Sequence, residues 1–219
     1  MHDLDLDQNR EERVKHYYRN VENYDWTRAA DSFRGLETLF HRARCRETLR
    51  LITGLAPNAS CIDIGCGTGL VTRHLPGRAV GIDLNPRNLQ KARRYAPAAR
   101  FVLCDAEGMT PIRDQAFDVA VCTEMLEHLL HPQRALDEIH RVLRPGGWLI
   151  GSVPGCSIIW KLRGLSSSRR HFAEEPYHRH YRRAEIQALL SARFQVVRLY
   201  PTTLRMNWFF TARRTEVTP

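Results

Sequence analysis

The sequence predicts an α/β fold in which helices cover both faces of a mostly parallel β-sheet. Short apolar runs alternate with helical patterns throughout residues 57–154. The first three runs end in the aspartates Asp63, Asp83 and Asp105, and a glycine-rich turn at residues 65–69 follows the first run. Parallel strands need crossover connections that are usually helical, so this alternation indicates a series of βαβ units.

Apolar runs and proline positions locate the individual elements. Strands are expected near Ser60–Ile64, Ala79–Asp83, Arg100–Cys104, Asp118–Thr123 and Trp148–Val153. Helices are expected over residues 36–52 and near Leu70–Leu75, Pro86–Tyr95 and Pro132–Leu143, the last two starting at a proline, which a first helical turn tolerates. After Pro154 a helix and two further strands are expected, near Arg183–Leu190, Phe194–Tyr200 and Asn207–Arg213.

The domain organisation follows from where this alternation begins. Residues 1–56 are predicted to form an N-terminal helical cap that folds over the mouth of a binding site. Residues 57–219 are predicted to form the main domain, with a substrate lid around 155–183. The 219 residues suit a domain of ordinary size with a substantial core.

The three aspartates are candidate binding residues because of where they stand. Ligands of open α/β sheets bind outside the carboxyl ends of the strands, near the point where the strand order reverses. An ionised carboxylate only accepts hydrogen bonds, so Asp83 suits the vicinal hydroxyls of a ribose and Asp105 suits an exocyclic adenine amine. Each acid taken singly also suits a turn or a helix cap. Because an acid ends each of three successive strands, the sequence favours a nucleoside-binding site at the carboxyl edge of the sheet.

Motifs in the expected order make the sequence similar to the class I S-adenosylmethionine-dependent methyltransferases. The residues that carry the resemblance are Asp63 to Gly69, Asp83, Asp105 with Ala106, the fourth-strand run Phe117 to Glu124 and the lead-in Leu143 to Trp148. The resemblance implies a Rossmann-like three-layer sandwich with a seven-stranded sheet, an antiparallel last strand, and S-adenosylmethionine as cofactor. It implies cofactor contacts from Asp63, Gly65, Cys66, Gly67, Gly69, Asp83, Leu84, Asp105, Ala106 and Thr123.

A run of acids and a histidine at residues 124–128 further resembles the quinone-biosynthesis O-methyltransferases of the type 11 group. If the run is helical, offsets of three and four place Glu124, Glu127 and His128 on one face. Carboxylates and imidazole suit Mg²⁺, Mn²⁺ or Zn²⁺, with His178 as a candidate fourth ligand. The alternative is that His128 acts as a general base without a metal, while Glu124 contacts the cofactor side.

Charge and hydropathy narrow the range of partners. The formal net charge is +9, and arginine supplies nearly all of the basic charge. Such an excess attracts an acidic small molecule, nucleic acid or an anionic membrane, or else forms a solvated surface. The basic segment Lys161–Arg183 also contains His178 and His180, either of which could serve as the later ligand. Because no apolar stretch is long enough to span a bilayer and no secretory signal is present, a cytoplasmic protein is expected.

Four functions remain open at this point. The first is methyl transfer to a small molecule, with the oxygen of a phenol, quinone-like or carboxylate-bearing acceptor favoured. The second is an RNA methyltransferase with a Glu/Glu/His metal site, although the aromatic-basic interleaving used to stack bases is absent from the sequence. The third is a nicotinamide-dependent oxidoreductase, whose G-x-G-x-x-G fingerprint differs from the spacing of Gly65, Gly67 and Gly69. The fourth is a non-catalytic subunit that keeps the fold to support a partner.

Overall fold

A computed structural model describes residues 2–22, 25–32, 35–77, 79–157, 175–202 and 206–215. Within these residues seven strands form one sheet: β1 (Cys61–Ile64), β2 (Val80–Asp83), β3 (Arg100–Leu103), β4 (Phe117–Thr123), β5 (Leu143–Pro154), β6 (Phe194–Thr202) and β7 (Asn207–Arg214). The helices of the same part of the chain are α1 (His2–Asn20), α2 (Trp26–Asp31), α3 (Gly35–Leu55), α4 (Pro86–Tyr95), α5 (Pro132–Val142) and α6 (Arg183–Ser191).

The strand order is β3-β2-β1-β4-β5-β7-β6. All neighbours from β3 to β5 pair in parallel, whereas β7 is antiparallel to both β5 and β6. The order reverses between β1 and β4, and this reversal creates the crevice in which ligands of such sheets bind. The predicted Rossmann-like sheet, mostly parallel with one antiparallel strand near its end, is therefore confirmed.

The central strand β4 shows how the sheet buries both of its faces. Val119 and Val121 point to one face, where they join the apolar cluster that includes α3. Ala120 and Cys122 point to the other face, where they join the larger cluster that includes α5 and α6. All four side chains are fully buried. Strands covered on both faces read as continuous apolar runs, which is why the sequence predicted these strands well.

One predicted helix is wrong. The segment Leu70–Leu75 forms only a single 3-10 turn, Thr72–His74. Leu75 is extended, with ψ of 146°, because a residue before proline is disfavoured in the helical region and Pro76 follows it. A smaller difference concerns β5, which begins at Leu143 beside Phe117 rather than near Trp148.

The N-terminal helices are tied to the carboxyl edge of the sheet. Asn85, at the start of α4, donates its side-chain amide to the carbonyls of Tyr18 (3.0 Å) and Val21 (2.8 Å) at the end of α1. Thr27 of α2 donates its hydroxyl to the carbonyl of Thr68 in the glycine turn at 3.0 Å. These contacts tie the end of α1 to the start of α4, and α2 to the glycine turn after β1.

The predicted lid around 155–183 falls largely on residues 158–174, which lie outside the described residues. Its described end returns to the sheet, where Tyr181 donates its backbone N–H to the Pro154 carbonyl at 2.9 Å. Within the described part of the chain, no helix has both the length and the apolar character needed to span a bilayer.

Candidate active site

Two adjoining cavities lie over the carboxyl ends of β1, β2 and β4. The Asp83 cavity has an empty volume of about 1020 Å³, and Asp83, Leu84, Asp105 and Ala106 line its floor. The Arg44 cavity has an empty volume of about 800 Å³, and Arg44 and Asp63 are among the residues that line it. The residues shared by both linings are Trp26, Gly65, Gly67, Glu124, His128 and Glu175.

The glycine turn separates the two cavities from the sheet below. Gly65 and Gly67 have φ of 67° and 54°, in the left-handed region that disfavours residues with a Cβ. A Cβ on Gly65 would lie 2.5 Å from Cγ of Met125, so this turn also requires close packing. Cys66 is buried beneath the turn, and burial raises the pKa of its thiol well above the usual value. The thiol therefore stays protonated, and Cys66 is among the residues that line the Arg44 cavity.

Asp83 is oriented by three donors from the protein. Its Oδ2 accepts the Gly67 N–H at 2.8 Å, and its Oδ1 accepts the Asn85 N–H at 2.8 Å and the Asn88 amide at 3.2 Å. Burial raises the pKa of Asp83 despite these three hydrogen bonds. Each carboxylate oxygen has two lone-pair directions, so Oδ2, which accepts only one hydrogen bond, keeps acceptor capacity for a ligand.

Asp105 has a partner that the sequence did not suggest. Its Oδ2 lies 2.9 Å from Nζ of Lys15 in α1, which also lies 2.6 Å from the buried carboxylate of Glu107. Burial alone would lower the pKa of Lys15, but Glu107, Glu11 and Asp105 together raise it above its usual value. The ammonium therefore ties α1 to the loop after β3, at the predicted adenine side of the site.

Arg44 is a site residue that the sequence analysis missed. Its side chain is 12% exposed, and Nη1 lies 3.8 Å from Oε2 of Glu124. Its buried Nε has no hydrogen-bond partner among the described residues. A signal was present, because His41, Arg44 and Thr48 recur at helical spacing, and α3 turns these polar side chains inward.

Asp63 lies at the end of β1 with 2% exposure, on the wall of the Arg44 cavity. Its Oδ2 accepts a hydrogen bond of 2.6 Å from the Thr72 hydroxyl. Burial raises the pKa of Asp63 to about 7, an effect that the Thr72 hydrogen bond only partly offsets. Thr123, at the end of β4, lines the same cavity.

Glu124 stands apart from the cluster predicted around it. The segment 124–128 is not one helix, since Glu124 has φ of 53° and only Leu126–His128 forms a helical turn. Oε1 of Glu124 accepts hydrogen bonds of 2.6 Å from both Ser152 and Asn207. The left-handed backbone at Glu124 turns its side chain toward β5 and β7, away from the neighbouring acid.

Glu127, His128 and His178 come together at the border of the two cavities. One ligand atom from each lies within 4.8 Å of the others, a spacing that could hold a metal ion. Glu127 is 1% exposed, and its Oε2 has no hydrogen-bond partner among the described residues. Burial raises the pKa of Glu127 well above its usual range, and the charge of Glu124 adds to this. Burial, with a smaller contribution from His178, lowers the pKa of His128 to about 3.

Comparisons with known proteins agree with this geometry. Residues 62–151 match the family model described as a methyltransferase domain. The thiol S-methyltransferase TMT1B of Mus musculus is 34% identical over 107 residues, which cover 45% of this chain and 43% of that protein. The ubiquinone biosynthesis O-methyltransferase of Thiobacillus denitrificans is 33% identical over 113 residues, which cover 48% of this chain and 49% of that protein. This chain thus spans less than half of the length of either curated relative.

Solved structures extend the similarity in fold to nearly the whole chain. The N-methyltransferase NodS from Bradyrhizobium japonicum, in complex with S-adenosyl-L-homocysteine, superposes with a TM-score of 0.66 at 20% identity. The superposition covers 95% of this chain and 100% of that chain. The family match removes the nicotinamide-dependent oxidoreductase from the open alternatives. Residues 62–151 of this chain thus match a methyltransferase domain, and the fold around them is that of the class I S-adenosylmethionine-dependent methyltransferases.

Proposed function

We propose that this protein transfers a methyl group from S-adenosylmethionine to the oxygen of a small, phenol-like acceptor. The observation that carries the proposal is the pair of buried Glu127 and half-buried His128. The pair lines the same cavity as the glycine turn and the aromatic side chains of Trp26 and Phe40. A base beside an aromatic wall suits an acceptor that is apolar and must lose a proton.

The residues of the two cavities fit the cofactor. Asp83 has acceptor capacity for the ribose hydroxyls, and Asp105 lies on the adenine side beside Leu84. The guanidinium of Arg44, with its unpartnered Nε, suits the carboxylate of the methionyl end. Gly65 and Gly67 line both cavities with backbone that carries no Cβ, which permits a ligand to approach closely. When bound, the cofactor supplies an electrophilic methyl group on a sulfonium, and the protein supplies binding and orientation.

Residues 1–56 act in this proposal as a cap over the cofactor and the acceptor. Support comes from Lys15 and Tyr18 of α1, which line the Asp83 cavity, and from Trp26 of α2, which lines both cavities. Among the described residues that line the cavities, Lys15 is engaged by carboxylates and Arg44 is assigned to the cofactor. A neutral phenolic acceptor therefore fits the described walls better than an acidic acceptor.

Glu127 and His128 are proposed to take up the proton of the acceptor. His128 is neutral at physiological pH, because burial lowers its pKa to about 3, so its Nε2 can accept a hydrogen bond from a hydroxyl. Glu127 Oε1 lies 3.9 Å from that nitrogen and is the stronger base, since burial raises the pKa of this carboxyl. Burial alone would keep Glu127 protonated, so its role as a base requires the positive charges of Arg44, which lowers the pKa of Glu127, and of the sulfonium of the bound cofactor.

Cofactor binding can be tested with Arg44→Met and the matched control Arg46→Met, an exposed arginine of the same helix. Calorimetry should show that Arg44→Met weakens binding of S-adenosylhomocysteine by about 10- to 100-fold, the loss of a charge-assisted hydrogen bond. Binding of 5′-methylthioadenosine, which lacks the carboxylate, should be unchanged in both variants. Equal weakening for both ligands would contradict the assignment of Arg44.

The acceptor atom can be tested by comparing catechol with thiophenol as acceptors for isotopically labelled cofactor. A thiol ionises more readily than a phenol, with usual pKa values of about 8.5 and about 10, so it depends less on a base. Glu127→Gln should lower kcat for catechol by about 100-fold or more and affect thiophenol much less. Glu12→Gln, an exposed acid of α1, is the control. Methylation of the thiol alone would refute an oxygen acceptor.

The second candidate function of this cluster is to bind a divalent cation between Glu127, His128 and His178. In that case Glu127 and His128 would be metal ligands and would not act as a base without a metal. Its support is the buried Oε2 of Glu127, unpartnered within the described chain, beside two imidazoles. A Mn²⁺ titration followed by electron paramagnetic resonance should then show one site that Glu127→Gln abolishes and Glu12→Gln retains. Full catechol methylation in the presence of a chelator would rule this candidate out.

A further inference from the structure

Tyr18 of α1 contacts His128 across 110 residues of sequence. Its hydroxyl oxygen lies 2.9 Å from Nδ1 of His128 and 2.6 Å from the carbonyl oxygen of Tyr177. The two rings pack against each other with centroids 4.9 Å apart. The phenol therefore stands between the imidazole of the proposed base and the segment that follows β5.

The positions of the Tyr18 hydroxyl, His128 Nδ1 and the Tyr177 carbonyl favour one arrangement of the hydroxyl and imidazole protons. A carbonyl only accepts hydrogen bonds, so the 2.6 Å contact requires that Tyr18 donates its single proton to Tyr177. The Tyr18 oxygen can then interact favourably with His128 only as an acceptor from Nδ1–H. The opposite tautomer would set two lone pairs against each other at 2.9 Å and leave the Nε2–H facing Glu127 Oε1 at 3.9 Å, beyond hydrogen-bond distance.

We propose that Tyr18 is a positioning residue that holds His128 in the Nδ1–H tautomer and so presents a bare Nε2 to the acceptor. Only the catalytic consequence rests on the proposed function; the tautomer is a property of the free protein. A neutral imidazole carries one proton, so protonation of Nδ1 leaves the lone pair on Nε2.

The surroundings of Tyr18 support a fixed geometry. Asn85, which follows the strand that ends in Asp83, donates hydrogen bonds to the Tyr18 and Val21 carbonyls and anchors this end of α1. The N-terminal helix thus contributes a hydrogen-bonding group to the reaction centre in addition to covering it.

Nitrogen-15 NMR of histidine-labelled protein tests the tautomer without any turnover. The His128 signals, identified by their loss in His128→Gln, should show a protonated Nδ1 and an unprotonated Nε2 near pH 7.5. Tyr18→Phe should convert them to a mixture with a substantial Nε2–H population. Tyr200→Phe, which removes a hydroxyl bonded to Glu47 of α3, should leave them unchanged.

Two results would overturn the proposal. One is an Nε2–H tautomer in the unaltered protein, a measurement that stands even if Tyr18→Phe fails to fold. The other is an unchanged Nδ1–H population in a folded Tyr18→Phe variant. In the methylation assay Tyr18→Phe should lower kcat by about 10- to 100-fold, the usual cost of losing the partner that orients a histidine, while the KM for the cofactor stays constant. If the unaltered protein methylated neither catechol nor thiophenol, the proposed function would fail and the NMR result would still decide the role of Tyr18.

Discussion

Replacing Asp63 with asparagine should make the stability of this protein less dependent on pH. Asparagine keeps an oxygen that can accept the hydrogen bond from Thr72, but it carries no ionisable group. Burial raises the pKa of Asp63 from 3.8 to about 7 on folding. The folded state therefore holds the proton of this carboxyl more tightly than the unfolded chain does.

The sign and size of the effect follow from proton linkage. For an acid whose pKa is raised by folding, stability is fully present below the unfolded pKa and is lost as pH rises through the folded pKa. One pKa unit corresponds to about 1.4 kcal/mol, so a shift of this size costs the protein roughly 3 kcal/mol between pH 5 and pH 8. Asp63→Asn removes that loss.

Urea unfolding of both proteins at pH 5 and pH 8 measures the difference. The free energy of unfolding of Asp63→Asn minus that of the unaltered protein should rise by roughly 3 kcal/mol between the two pH values. Taking the difference cancels the contributions of other buried acids, such as Glu127. The exposed acid Glu12, changed to glutamine, should show no such rise. A constant difference for Asp63→Asn would mean that Asp63 ionises normally in the folded protein.

Three further substitutions test the fold and the cofactor site. Gly151→Ala should abolish the yield of folded protein or lower the free energy of unfolding in urea by several kcal/mol. The added Cβ would lie 2.2 Å from the Cys122 carbonyl oxygen and 2.5 Å from the ring of Phe210. Leu136→Ala, in the fully buried face of α5, should cost about 2–5 kcal/mol in the same assay. If it cost less than 1 kcal/mol, the packing described for α5 would be wrong. Asp83→Asn should weaken the binding of S-adenosylhomocysteine at least about tenfold in calorimetry, because the variant loses a charged hydrogen-bond acceptor. Unchanged affinity would refute the assignment of Asp83 to the ribose.

The sheet was predictable because its central strands β1 and β4 are buried on both faces and therefore read as apolar runs. The parallel direction of strands β1 to β5 was predicted from their alternation with helical patterns, and the binding edge was predicted from Asp63, Asp83 and Asp105 at the strand ends. The order of the strands in the sheet came only from the structure. The segment Leu70–Leu75 was mispredicted as a helix because its apolar residues suggested one, while Pro76 prevents it.

Contacts between distant segments were not predictable from local patterns. Lys15 reaches Asp105, Arg44 reaches Glu124, and Tyr18 reaches His128, each through the packing of an N-terminal helix over the sheet. Glu124 and Glu127 are three residues apart, yet the left-handed backbone at Glu124 separates their side chains. A helical wheel does not predict this separation, because it assumes a helical backbone and Glu124 does not have one.

The sequence by itself determined the layered α/β fold, the glycine turn and the acids that border it. Burial and turn geometry restrict which residues can occupy neighbouring positions, so they produce recognisable local sequence patterns. Only the tertiary structure decided which side chains share the reaction centre. The reason is physical: the proton placement at His128 depends on a hydroxyl and a carbonyl, from Tyr18 and Tyr177, that meet only when two distant segments fold onto the same edge of the sheet.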